Sequence, residues 1–367
     1  MSAVLQLCLA CGSGGGRDAV AVGASGFGGK ADAAGGGGSH AGGSSAGSSS
    51  AGGDTRFPTS FGEPEVLIAN LTRPVRLAMK DDYLYFVEMG LPDGSSSRLA
   101  RRSADGSVQT LFTGVTLTAL YLDQNELFFV ERGTQSLYRM SYTSLEPELV
   151  TTTANSVGDV VAVGDTLWLS EFSSDAQSTW LVRLPRAGGE TLEVSARTGA
   201  GYIFSYLGVG GGRVYASTTS FKSGVAFGLF QVDAIGSQLS VPAVASNHLT
   251  ADDRYVYFGS ELDGRVLRLG HASTEPELIA EGENHPFALA TDAAGIYWTD
   301  APDCNKGDAV SGSVSATPLD GGSKVLVAEG QPCPLAIASG PDAIYWIANN
   351  PADTLGDDAI LRARKQP

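Results

Sequence analysis

A repeat constrains this chain more than any other feature. An aliphatic residue followed by an aromatic one recurs at Leu84-Tyr85, Leu127-Phe128, Leu167-Trp168, Val214-Tyr215, Val256-Tyr257, Ile296-Tyr297 and Ile344-Tyr345. Successive aromatics lie 43, 40, 47, 42, 40 and 48 residues apart. Around each one, short runs of alternating apolar and polar residues are bounded by Gly, Asp and Pro, the pattern of half-buried strands between turns. The unit that begins FALATDAAGIYWTD at Phe287 shows it most fully: ALAT, a DAAG turn, IYWTD, then GSVSATPL, a DGG turn and KVLVAEG. Four short strands in every 40 to 50 residues are what one blade of a β-propeller requires. The expectation is therefore an all-β chain folded as a seven-bladed β-propeller. Six blades is the alternative if the glycine-rich fourth unit, GVGGGRVYAST, is an insertion.

The two chain ends check the count. The last unit supplies LAIAS, IYWIA and ILRAR and then stops at Pro367, one strand short. Near the other end, Glu63-Pro64-Glu65-Val66-Leu67-Ile68-Ala69 resembles Glu275-Pro276-Glu277-Leu278-Ile279-Ala280 and Glu146-Pro147-Glu148-Leu149-Val150, which both read as fourth strands. The N-terminal strand should pair onto the last blade and close the ring, removing the free sheet edges of an open array.

Ahead of the repeats the chain changes character. Residues 12–53 are almost entirely Gly, Ser and Ala and carry too little apolar surface to offset their ordering entropy, so a disordered linker is expected. Its 42 residues would reach roughly 35 Å as a random coil. Residues 1–11, MSAVLQLCLAC, form a short apolar start that ends on Cys11 after Ala10. This looks like the end of a bacterial lipoprotein signal, which makes Cys11 the lipidation candidate. The domain plan is then a signal remnant at 1–11, the linker at 12–53 and the propeller at 54–367.

Charge narrows the partners. With 40 acidic against 24 basic residues the formal charge is −16, which repels phosphate backbones and argues against nucleic acid. No run approaches the ~20 apolar residues of a membrane span, so membrane contact is expected only through the lipid anchor. The expected partner is a protein, peptide or glycan at the cell envelope, met by a monomer that is exported to the outer membrane, cell surface or periplasm.

Tyr297-Trp298-Thr299-Asp300 reproduces the signature of the YWTD propellers, and Ile344-Tyr345-Trp346 nearly repeats it. The body from about Glu63 to Pro367 also resembles the NHL-like propellers of bacterial surface lipoproteins of the myxobacterial type. The resemblance implies a propeller at the cell surface. YWTD propellers have six blades, however, and only one unit here carries the full signature. The fold hosts receptors, lyases and lactonases alike, so the resemblance implies no single activity.

Candidate site residues follow from position in the repeat. Three residues after the key aromatic stand Glu88, Glu131, Glu171 and Asp300, which should gather toward one face of the ring. Such a set could hold a cation or a basic peptide. In YWTD propellers the equivalent Asp is mainly structural, bonding between blades. His285 and His248 precede first strands and could reach the same face. That makes a lactonase- or lyase-type enzyme with a channel-mouth metal the alternative to a binding or scaffold module. No cofactor is required by any motif. The Asp303, Asn305 and Asp308 loop has calcium-like composition without the proper spacing. Cys304 and Cys333 fall on loops of one face and, in an oxidising compartment, are expected to form a disulfide.

Overall fold

The computed structural model describes residues 56–91, 93–173, 178–198, 202–220, 228–232, 238–241, 248–260, 263–301, 311–349 and 357–367. Cys11, the linker, Cys304 and the loop holding Asp303, Asn305 and Asp308 lie outside these residues.

Strands pair where the alternating runs predict them. Blade one comprises Pro74–Lys80, Tyr83–Glu88, Ser97–Arg102 and Val108–Gly114, and blade two Leu117–Leu122, Glu126–Glu131, Ser136–Ser141 and Pro147–Thr152. Blade three comprises Ser156–Val163, Thr166–Phe172, Ser178–Pro185 and Leu192–Thr198. Blade four has Tyr202–Gly210, Arg213–Ser220, Gly228–Val232 and Gln238–Val241, a complete sheet, so the glycine-rich unit is a blade and the count is seven. Leu249–Ala251, Tyr255–Ser260, Arg265–Gly270 and Glu277–Glu281 make blade five. Pro286–Thr291, Gly295–Asp300, Ser311–Pro318 and Val325–Pro332 make blade six.

Blade seven takes Pro334–Ser339, Ala343–Ala348 and Asp358–Gln366 from the end of the chain and Glu65–Leu71 from its beginning. The pairing sets Glu65 opposite Arg362 and Leu71 opposite Asp358. Ser60–Phe61 extends it, with Ser60 opposite Gln366. The closing segment goes further than the repeat implies. Phe61 packs edge-on against Tyr297 of blade six at 6.4 Å, and Phe57 lies so close to Gly295 that an added Cβ would stand 2.7 Å from its ring.

First strands of consecutive blades touch in an unbroken circle from blade one through blade seven and back, so they line the centre. The strands alternate direction. Starts of first strands and ends of second strands therefore share one face, the upper, while the turns joining first to second strands lie on the lower face. The key aromatics are the seams: Tyr85, Phe128, Trp168, Tyr215, Tyr257, Tyr297 and Tyr345 are all buried between blades.

Two sequence motifs gain a physical cause. The recurrent Pro-Glu before a fourth strand puts its Glu opposite an Arg of the third strand, giving the ion pairs Arg139 with Glu148 and Arg268 with Glu277, and Arg362 with Glu65 at the closure. Such cross-strand pairs contribute about 0.2–1 kcal/mol each. The Asp of DAAG caps its own turn: Asp292 accepts from the backbone of Ala294 and Gly295 and from the Tyr297 hydroxyl, and it pairs with Lys365 of blade seven at 2.6 Å.

Candidate functional site

The upper end of the first strands carries a repeated irregularity. In blades one, two, three, four, six and seven the pairing of first to second strand slips near its start, a β-bulge that re-aims one side chain. Just beyond it each strand presents an aliphatic residue: Leu77, Leu120, Val160, Leu207, Leu289 and Ile337, with Leu249 in blade five. The residue immediately before that aliphatic defines one circular level of the ring. It is Arg76, Ala119, Asp159, Tyr206, His248, Ala288 and Ala336 in blade order. Three blades place alanine there, and four place a charged, aromatic or titratable side chain.

Those side chains meet across the centre. The Arg76 guanidinium of blade one lies over the Tyr206 ring of blade four, 4.8 Å from its centroid. Tyr206 stacks on His248 of blade five at 3.6 Å, and His248 packs on Phe287 of blade six at 4.7 Å. Arg76, Tyr206, His248 and Phe287 are half-buried, as residues lining a channel mouth are. Asp159 is buried, its carboxylate accepting from the backbone N–H groups of Val160 at 3.1 Å and Leu207 at 2.9 Å, so it anchors the strand that carries Tyr206. In the bulge of blade two the Thr118 hydroxyl is buried with no hydrogen-bond partner among the described residues.

Electrostatics set protonation states here. Burial pushes the Asp159 carboxyl upward, opposed by the charge of Arg76 and by its two backbone donors. Burial, reinforced by the Arg76 charge, holds His248 well below the ordinary histidine range, so its ring is neutral at pH 7. A neutral imidazole against a phenol, beside a guanidinium, can bind a polar ligand edge, stack on a planar one, and accept or relay a proton.

The four predicted carboxylates stand at the ends of second strands on the upper face, and Glu88, Glu131 and Glu171 turn back onto the crossovers that lead into their own blades. Glu88 accepts from the Thr72 backbone at 2.8 Å and from Arg98. Glu131 accepts from the Val115 backbone at 2.8 Å and the Thr134 hydroxyl at 2.7 Å. Glu171 accepts from Asn155 at 3.0 Å, while burial raises its pKa. Asp300 accepts from Ser313 at 3.0 Å. His285 sits two residues before Phe287 at φ 63°, and its carbonyl accepts from the Ala301 N–H at 3.1 Å. Cys333 is buried at the start of blade seven. Among the described residues no group of three or more His, Cys, Asp and Glu could hold a metal ion. No helix of the described residues is long and apolar enough to cross a membrane.

His248 was legible from sequence as a candidate, but its partners Arg76, Asp159, Tyr206 and Phe287 were not. The signal that finds Arg76, Asp159 and Tyr206 is the residue before the repeated aliphatic of each first strand, and it needs the bulge to set the alignment, while Phe287 stands one residue before that level.

No family model matches the chain, and no curated protein does. Solved structures share the fold. A streptogramin B lyase superposes with a TM-score of 0.61 at 12% identity, covering 83% of this chain and 97% of its own. Virginiamycin B lyase from Staphylococcus aureus gives 0.59 at 12%, covering 82% and 98%. An oligogalacturonate lyase in complex with manganese gives 0.59 at 16%, covering 86% and 96%. The chain is a seven-bladed β-propeller similar in fold to propeller lyases.

Proposed function

We propose that this protein is an exported, tethered propeller that binds a small ligand or the tip of a peptide or glycan at its upper channel mouth. The observation that carries the reading is the single circular level at which Arg76, Asp159, Tyr206 and His248 stand where three blades have alanine, with Arg76, Tyr206 and His248 in contact across the ring. A purely structural ring has no need for four different side chains at one level of its repeat, and convergent polar and aromatic groups in a concave site are the mark of a ligand seat. The apolar start ending at Cys11 and the Gly/Ser linker support display at the cell envelope. A Cys304–Cys333 disulfide would brace the upper face there. In this reading Glu88, Glu131 and Glu171 serve the site by positioning the crossovers around it, and Asp300 by bracing the third strand of its blade through Ser313.

A second reading is favoured by one contact. The neutral His248 lies against the Tyr206 phenol beside Arg76, which suits a proton abstraction next to a carboxylate or carbonyl, with Arg76 steadying the developing negative charge. The fold similarity to lyases supports this reading. A thermal-shift screen of envelope glycans, peptides and small carboxylates against the full chain tests both. A hit should stabilise the parent and not H248A or Y206F, and elimination chemistry would remove the α-proton, break the bond from the β-carbon to its substituent, release that substituent and leave a conjugated double bond in the hit. Stabilisation that survives both substitutions would place the ligand elsewhere.

A further inference from the structure

The seam between blades five and six holds a buried acid pair that its neighbour lacks. In blade six the Trp298 indole N–H donates to Glu283 at 3.0 Å, and Lys324 donates to the other Glu283 oxygen at 2.8 Å. In blade seven the Trp346 indole N–H donates to Gln331 at 3.1 Å, in the same geometry. Two residues beyond each tryptophan stand Asp300 in blade six and Ala348 in blade seven. Glu283 and Asp300 are both buried, at 8% and 5% exposure. One Asp300 oxygen takes the Ser313 hydroxyl, and the other, Oδ1, has no donor among the described residues. The Asp300 and Glu283 side chains interact directly, and because two bare carboxylates cannot hydrogen-bond to each other, that contact requires one of them to hold a proton.

We propose that Glu283 and Asp300 share a single proton and form a pH-responsive latch that positions the Phe287 segment of the channel mouth. With the proton in place, the Asp300 carboxyl donates its O–H to the Glu283 carboxylate, and Lys324 balances the remaining charge. When the proton leaves to solvent, two negative charges face one lysine in a buried seam. Burial and the neighbouring Glu283 charge raise Asp300 to about 7, opposed by Ser313 and Lys324. Among the described residues, the groups that bond to the pair are Trp298, Ser313 and Lys324.

The latch grips both ends of the strand start it would control. Glu283 lies four residues before Phe287, and its own N–H is held by the Gly264 carbonyl at 3.0 Å. Ala301, next to Asp300, ties the His285 carbonyl at 3.1 Å. Phe287 then touches His248 at 4.7 Å. Repulsion at the pair therefore acts on a four-residue lever that ends in the channel stack.

The chain has four tryptophans and four histidines, few enough for each to be followed by NMR in the unliganded full chain. The Trp298 indole N–H should shift with a midpoint near pH 7, the Trp346 indole should stay still, and the His248 ring protons should follow Trp298. D300N, which mimics the protonated pair, should abolish both movements. A flat Trp298, or one that titrates unchanged in D300N, overturns the latch. Trp298 moving without His248 overturns its coupling to the channel. Because no ligand enters the measurement, failure here leaves the ligand seat standing, and failure of the ligand seat leaves the latch standing.

Discussion

Blades six and seven bury the same tryptophan at the same place and satisfy its indole differently, with Glu283 in one and Gln331 in the other. The apolar packing is shared: Trp298 and Trp346 are both fully buried, each in a cluster that joins its blade to the preceding one. What differs is charge. The blade seven seam is neutral, with Gln331 in the place of Glu283 and Ala348 in the place of Asp300, whereas the blade six seam carries two carboxylates and Lys324. A propeller can thus repeat its packing while varying its polar inserts, because each seam is a local unit that contacts only its neighbours.

Truncating the tryptophans should have the largest effect. W298A and W346A should each cost ~3–5 kcal/mol in chemical denaturation, as large buried aromatics do. W298A should cost about 1–3 kcal/mol more, because it strips a donor from a buried charged acceptor rather than from an amide. Equal losses would mean that the two seams are energetically alike.

The pH dependence comes next. The folded pKa of Asp300, about 7, stands above the ordinary 3.8, so its stability contribution is whole below about 4 and is lost as pH rises through about 7. The loss is on the order of 4 kcal/mol. Melting temperature of the parent should fall over that window relative to D300N, and parallel curves would refute the assignment.

E283Q sharpens the contrast by changing sign. Near pH 8 it should stabilise by ~1–3 kcal/mol through relief of a repulsive buried pair. Near pH 5 it should destabilise by about 1 kcal/mol through loss of charge-assisted bonds from Trp298 and Lys324. The smallest effect belongs to Q331E, which places a carboxylate in the neutral seam: a loss of about 1 kcal/mol at neutral pH that shrinks as the pH falls. No dependence on pH would show that this seam is wet.

How much could be read ahead of the structure differs by residue. The aromatic column, the closing strand and the blade count were legible because strand alternation and turn chemistry are local, and seven copies reinforce one another. The acidic ends of the second strands were legible as positions. Their direction was not, since a carboxylate three residues past an aromatic reads the same whether it faces a ligand or bonds back to a crossover N–H, as Glu88 does to Thr72. Glu283 was invisible, because its partner Asp300 lies 17 residues away across a strand pair.

By itself the sequence determined the all-β repeat, the seven units and the pairing of the first strand with the last blade, because each depends on period, turn residues and the need to cover sheet edges. Only the tertiary structure decided which residues share the channel. One extra residue in a strand moves every later side chain to the other face, so the bulges near the starts of the first strands set the level at which Arg76, Asp159 and Tyr206 stand alongside His248. Contact between Arg76 and Tyr206 then joins blades one and four, 130 residues apart, which closing the ring brings face to face.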